Sequence, residues 1–257
     1  MSLVKRCFGV SERGPLHIKN QIENQDAFYI SRNKDYVLAL VSDGLGSKKY
    51  SDLGSKMAGL AVNNSIRKII KEKGSLEQEK FGALLLSNIA EEWKQLVKPK
   101  APEDCSATCL FVIITAGNIY AFRLGDGMLF FKPAGGEDAG ARGAGISANS
   151  AADQGLLLQD DKSGEFSNAT VSLSNENMLF SWETKKLERK AWENILLTTD
   201  GISADLQAGT EKTFAADLLD SMKNKPKFFC KIQLKKMLKN WPVPKHTDDK
   251  TLVVVDL

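Results

Sequence analysis

Apolar residues run without interruption over residues 36–41 (Tyr-Val-Leu-Ala-Leu-Val) and stop abruptly at Ser42-Asp43-Gly44. The run is too short for a free helix and lacks the alternation of a half-solvated strand, so it predicts a strand buried on both faces. From Ser51 the period changes. Leu53, Met57, Leu60, Val62, Ile66, Ile69 and Ile70 fall mostly at three- and four-residue steps, which predicts an amphipathic helix closed by Gly74. Ser75-Leu76-Glu77-Gln78 reads as a capping box that opens a second helix, with Phe81, Leu85, Ile89, Trp93 and Leu96 on its apolar face.

Shorter strand candidates surround these elements. Residues 4–10 and 27–31 precede the central run, and residues 107–115, 119–124 and 128–132 read as a β-meander. Strand patterns return at 170–173, 195–199 and 251–255, with helices expected at about 213–223 and 231–241. Residues 133–161, rich in Gly, Ala and Ser, offer little to bury and predict a mobile, flap-like excursion. Helices are grouped and do not alternate with strands, which predicts an α+β fold with mostly antiparallel sheets. Two sheets packed face to face with helix pairs outside, a four-layer α-β-β-α sandwich, would bury every apolar face in a single domain over residues 1–257.

The strand ends carry the candidate chemistry. Three strands run into an aspartate (Asp43-Gly44, Gly125-Asp126-Gly127 and Asp200-Gly201), and a fourth follows Asp248-Asp249. An isolated Asp-Gly is ordinarily a turn. The repetition can place four carboxylates at one sheet edge, where they repel unless a cation sits among them. An all-oxygen site suits Mg²⁺ or Mn²⁺.

Composition narrows the alternatives. The chain has 257 residues with 35 basic and 32 acidic side chains, a formal charge of +3, so a nucleic-acid surface is not expected. No apolar run is long enough to span a bilayer, and the N-terminal residues lack a signal-peptide core, which points to a cytoplasmic protein. Cys7, Cys105, Cys109 and Cys230 show no metal-type spacing and read as free thiols. With only His17 and His246, a zinc site or a Ser-His-Asp triad has little material.

Six blocks in order resemble the metal-dependent, type 2C family of serine/threonine protein phosphatases: residues 24–28 (NQDAF), 41–47 (VSDGLGS), 106–108 (SAT), 123–127 (RLGDG), 196–201 (LLTTDG) and 248–255 (DDKTLVVV). Residues 164–170 resemble a bacterial branch. The resemblance implies two Mn²⁺ or Mg²⁺ ions at one end of a β-sandwich. Asp43 matches the carboxylate that bridges them, Gly44 a backbone-carbonyl ligand, and Asp200 and Asp248 the other ligands of the first ion. Asp26 matches a carboxylate that holds metal-bound water, and Asp126 one that, with Asp200, takes a third, weaker ion. Such a pair lowers the pKa of a bridging water, whose hydroxide attacks phosphorus in line with the serine or threonine oxygen. The implied partners are phosphoprotein substrates and a serine/threonine kinase.

The chain also departs from the family. Gln21 stands five residues before Asp26, where an arginine commonly grips the substrate phosphate; Lys19 or His17 is the nearby substitute. Leu45 follows Asp-Gly where many relatives carry a histidine, and Asp249 stands where asparagine is usual. Gln21 supports an alternative reading, a phosphatase-like binding or regulatory module that retains metal without turnover. A metal nuclease is the third reading, opposed by the near-neutral charge.

Overall fold

The computed structural model describes residues 2–77, 80–135, 155–159, 170–242 and 247–257. Two five-stranded antiparallel sheets form its centre. One runs in the order β1 (Arg6–Glu12), β10 (Lys250–Asp256), β9 (Trp192–Thr198), β6 (Met128–Pro133), β7 (Leu156–Leu158). The other runs β2 (Ala27–Arg32), β3 (Val37–Ser42), β4 (Cys109–Ile114), β5 (Asn118–Leu124), β8 (Glu183–Glu188).

Three apolar layers explain the four-layer stack. Val37, Ala39 and Val41 of β3 face the other sheet and meet Leu197 of β9 and Val253 of β10. Leu38 and Leu40 point the opposite way, onto α2 (Ser51–Lys73) and α3 (Phe81–Leu96), where Val62, Ile66, Ile69 and Trp93 are buried. Leu252 and Val254 of β10 pack against α5 (Glu211–Ser221) and α6 (Lys227–Lys239) through Leu218, Leu219 and Leu234. Every residue of β3 is buried, as an unbroken apolar run between two layers requires.

The structure corrects several local expectations. The second helix starts at Phe81 with no side-chain cap: Ser75 Oγ accepts the Glu77 amide 3.0 Å away in a local turn, and the Glu77 carboxylate accepts from Tyr120 Oη at 2.7 Å. Residues 170–173 form no strand; the Leu173 amide donates to the Ala107 carbonyl at 2.9 Å and its side chain is buried. The last two helices begin two and four residues earlier than the apolar spacing implies, the second directly after Pro226. Most of the excursion expected over 133–161 lies outside the described residues, but Leu156–Leu158 pair with β6 as an edge strand.

A short helix, α1 (Pro15–Lys19), docks on the segment before β10: the Leu16 amide donates to the Thr247 carbonyl at 3.1 Å. Gly14 permits this approach, since a Cβ there would lie 2.3 Å from the Asp248 backbone. Among the described residues no helix is long and apolar enough to cross a membrane.

Candidate metal centre

Asp43 leaves the end of β3 into a clamp made by the 106–108 block. The Asp43 amide donates to Thr108 Oγ1 at 2.9 Å, the Thr108 amide to the Asp43 carbonyl at 2.8 Å, and the Leu45 amide to the Ser106 carbonyl at 3.0 Å. The Gly44 amide donates to the Gln25 carbonyl at 3.1 Å, which sets Asp26 beside Asp43. Gly44 has no left-handed φ; it is required because a Cβ would lie 2.5 Å from the Ser51 carbonyl oxygen. Asp200 opens α4 (Asp200–Ser203) at the end of β9, and Gly201 is needed for the same reason, with a Cβ only 1.9 Å from the Asp249 oxygen. Asp126 lies between Gly125 and Gly127, whose φ values of 82° and 113° only glycine adopts easily, and Thr170 Oγ1 donates to it at 2.6 Å.

These elements gather the aspartates from five parts of the chain into one electrostatic cluster. The Asp26 and Asp43 carboxyls are close enough for each to shift the ionisation of the other. Burial pushes Asp26 up to about 7, against the hydrogen bonds from Asp43 and Thr199 that favour its ionised form. Asp43 is raised well above the usual carboxylate range, first by burial and then by the charges of Asp26 and Asp200. Asp200 is raised to about 6, by burial first and then by Asp248 and Asp126. Three carboxyls, Asp26 buried and Asp43 and Asp200 half-buried, are thus held back from ionising by partial loss of water and by one another. A divalent cation would supply the compensating charge, and the oxygen-only donor set of Asp43, the Gly44 carbonyl, Asp200 and Asp248 fits Mn²⁺ or Mg²⁺.

A pocket of about 300 Å³ opens over the cluster, lined by His17, Gln25, Asp43, Gly44, Asp200 and Asp248, with Leu45 and Thr170 on its walls. No lysine or arginine lines it among the described residues. Gln21 is exposed with φ 55° and Lys19 is exposed on α1; neither lines the pocket, and His17 does. The polar neighbours of His17 are carboxylates. Its Nδ1 lies 2.9 Å from Asp249 Oδ2, off the hydrogen-bond axis, and its Nε2 lies 4.0 Å from Asp248 Oδ1. Flanked by two anions, the ring is a poor receptor for phosphate. His246 lies outside the described residues.

Two contributors are not among the site residues read from the sequence. Thr199 Oγ1 donates to Asp26 Oδ2 at 2.7 Å, joining the end of β9 to the start of β2. Asp249, buried, accepts the Gly14 amide on Oδ1 and the Gln25 amide on Oδ2, each at 2.7 Å. The aspartate in place of the family's asparagine was the one visible hint of the second.

The chain matches the model of protein phosphatase 2C over residues 13–239 and belongs to that family of Mn²⁺- or Mg²⁺-dependent serine/threonine protein phosphatases. Its fold is shared with serine/threonine phosphatase Stp1 from Staphylococcus aureus (TM-score 0.66, 15% identity, covering 100% of this chain and 97% of that one). It is also shared with the catalytic domain of the serine/threonine protein phosphatase PstP in complex with two manganese ions (TM-score 0.57, 13% identity, 98% and 97% covered). The PPM Ser-Thr phosphatase MsPP from Mycobacterium smegmatis, in complex with cacodylate, is similar to the same degree (TM-score 0.57, 14% identity, 99% of each chain). At these identities the likeness is one of fold. None of the curated proteins matches this chain in sequence.

Proposed function

We propose that the chain is one catalytic domain that hydrolyses phosphoserine and phosphothreonine in phosphoproteins with two divalent ions held by the aspartate cluster. The observation that carries this reading is the crowding of Asp26, Asp43 and Asp200 in one cluster at the floor of a pocket, where each carboxyl raises the cost of ionising another. Asp43, the Gly44 carbonyl, Asp200 and Asp248 would hold the two ions, and Asp126 with Asp200 a third. When bound, such ions lower the pKa of coordinated water and neutralise charge on the phosphoryl oxygens.

The chain's own part is positional. Ser106 and Thr108 fix the Asp43-Gly44 backbone, and Thr199 fixes the Asp26 carboxyl so that it can accept a proton-bearing water at a set angle. Leu45 carries no exchangeable proton on the pocket wall, so it cannot be the acid that protonates the leaving serine or threonine oxygen, a role water can fill. Four free, buried cysteines fit a reducing cytosol, and phosphoprotein substrates imply a partner kinase that supplies them.

The lack of a basic residue in the described lining favours a second reading, a binding or regulatory module that keeps metal without turnover. Phosphate release from a phosphothreonine peptide, with and without Mn²⁺ and beside Asp43→Asn, separates the two. Release that needs the ion and disappears in the variant supports the enzyme. Two ions bound by calorimetry without release supports the module, and neither release nor binding overturns both.

A further inference from the structure

We infer that His17 is a nitrogen ligand of the divalent ion held at Asp248, presented through Nε2 and locked in place by Asp249. The inference rests on the metal-centre reading above. Donor atoms of His17, Asp248 and Asp249 all lie within 4.8 Å of one another. The Asp249 carboxylate cannot turn away, because its two oxygens each accept a backbone amide, from Gly14 and from Gln25. His17 Nδ1 is buried beside it, 2.9 Å from Oδ2 and without an aligned partner; a small rotation of the ring completes the bond. An Nδ1–H committed to Asp249 leaves the lone pair on Nε2, which faces Asp248 Oδ1 4.0 Å away.

Two acceptor atoms at that separation do not bond to each other. They do leave room for one cation with bonds of about 2 Å to each. A carboxylate that holds the far nitrogen of a metal-binding histidine is the usual outer support of such a ligand, fixing its tautomer and raising its basicity. The docking of α1 through Leu16 and Gly14 ties the ring to the backbone that carries Asp248, so the donors approach as one unit. An imidazole in an otherwise oxygen-only set moves the preference from Mg²⁺ towards Mn²⁺ and the later transition ions. It also gives Asp249, in the family's asparagine position, a role of its own.

The test uses the full chain titrated with Mn²⁺ from substoichiometric amounts to saturation, with pulsed electron paramagnetic resonance reading nitrogen modulation. Modulation from a coordinated imidazole is expected in the parent chain and in His246→Gln, and is expected to vanish in His17→Gln. By calorimetry His17→Gln and Asp249→Asn each lower Mn²⁺ affinity on the order of tenfold, with a smaller loss for Mg²⁺ in His17→Gln. Circular dichroism confirms that the variants remain folded. Mn²⁺ bound without nitrogen modulation, or with modulation that survives His17→Gln, overturns the inference and leaves the proposed function standing. Absence of Mn²⁺ binding overturns both.

Discussion

Thr199 Oγ1 and Asp26 Oδ2 form a buried 2.7 Å hydrogen bond that links the two sheets at the edge where the aspartates collect. The same hydroxyl oxygen accepts the Thr251 amide at 3.1 Å. Thr199→Val keeps the shape of the side chain and removes both bonds. Leaving buried polar groups unpaired costs about 1–3 kcal/mol, so urea unfolding of Thr199→Val will show a loss of that size, and Thr199→Ser will recover most of it. Mn²⁺ affinity measured by calorimetry will fall with Thr199→Val, because Asp26 loses the donor that favours its charged form.

Gly201→Ala separates close packing from helix propensity. Position 201 lies in α4, where alanine would ordinarily stabilise by about 1 kcal/mol. Here the added carbon would lie 1.9 Å from the Asp249 backbone oxygen, so the segment that carries Asp248 and Asp249 ahead of β10 must shift. Overpacking of this kind costs about 1–3 kcal/mol or more. A lower melting temperature, together with weakened Mn²⁺ binding, is the expected outcome; a melting temperature that rises would show that the contact relaxes freely.

The metal-free protein will be less stable at pH 7.5 than at pH 5.5. Asp26, raised to about 7, and Asp200, raised to about 6, bind protons in the folded state that the unfolded chain has already released. Over the interval between the ordinary aspartate pKa and these values the native state holds more protons, so stability falls as pH rises. Thermal melts in chelator will show a drop of several degrees across that window. Saturating Mn²⁺ competes with those protons, and its stabilising shift will be larger at pH 7.5. A metal-free melting temperature that climbs over this window would contradict the crowding of the carboxyls.

Lys250 tests a buried cation just beyond the cluster. Its side chain is 1% exposed; Nζ lies 3.4 Å from Asp205 Oδ2 and 3.4 Å from the Asp248 carbonyl, with the Trp241 ring 5.5 Å away. Trp241 Nε1 also donates to Asp205 Oδ2, at 2.9 Å. Lys250→Met breaks the pair and will destabilise the protein by about 3 kcal/mol in chemical denaturation. Adding Asp205→Asn will recover part of that loss, the coupling a double-mutant cycle measures.

Much of the architecture was legible in the chain because burial leaves a periodic trace. β3 reads as an unbroken apolar run because it is covered on both faces, and α2 shows its stripe because one face meets the sheet. The elements that escaped notice lack that trace. β8 (Glu183–Glu188) is an edge strand of largely exposed, mostly charged residues paired only with β5, β7 has three residues, and α1 has five. Ser75 and Gln78 match a capping pattern, but the helix begins only at Phe81, Gln78 lies outside the described residues, and Glu77 between them is taken by tertiary partners, Asn118 and Tyr120.

By itself the sequence marked the aspartates that the fold gathers at one edge, since aspartates at strand ends are flagged by the strands that precede or follow them. It also determined the layered class of the fold, through the two apolar periods. Only the tertiary structure decided why Gly44 and Gly201 must be glycine, as close backbone approach is invisible in a local pattern. It decided, too, that His17 faces Asp248 and Asp249 while Lys19 and Gln21 stand outside the pocket. Local periodicity records how a segment is buried; it does not record which distant segment comes to lie across from it.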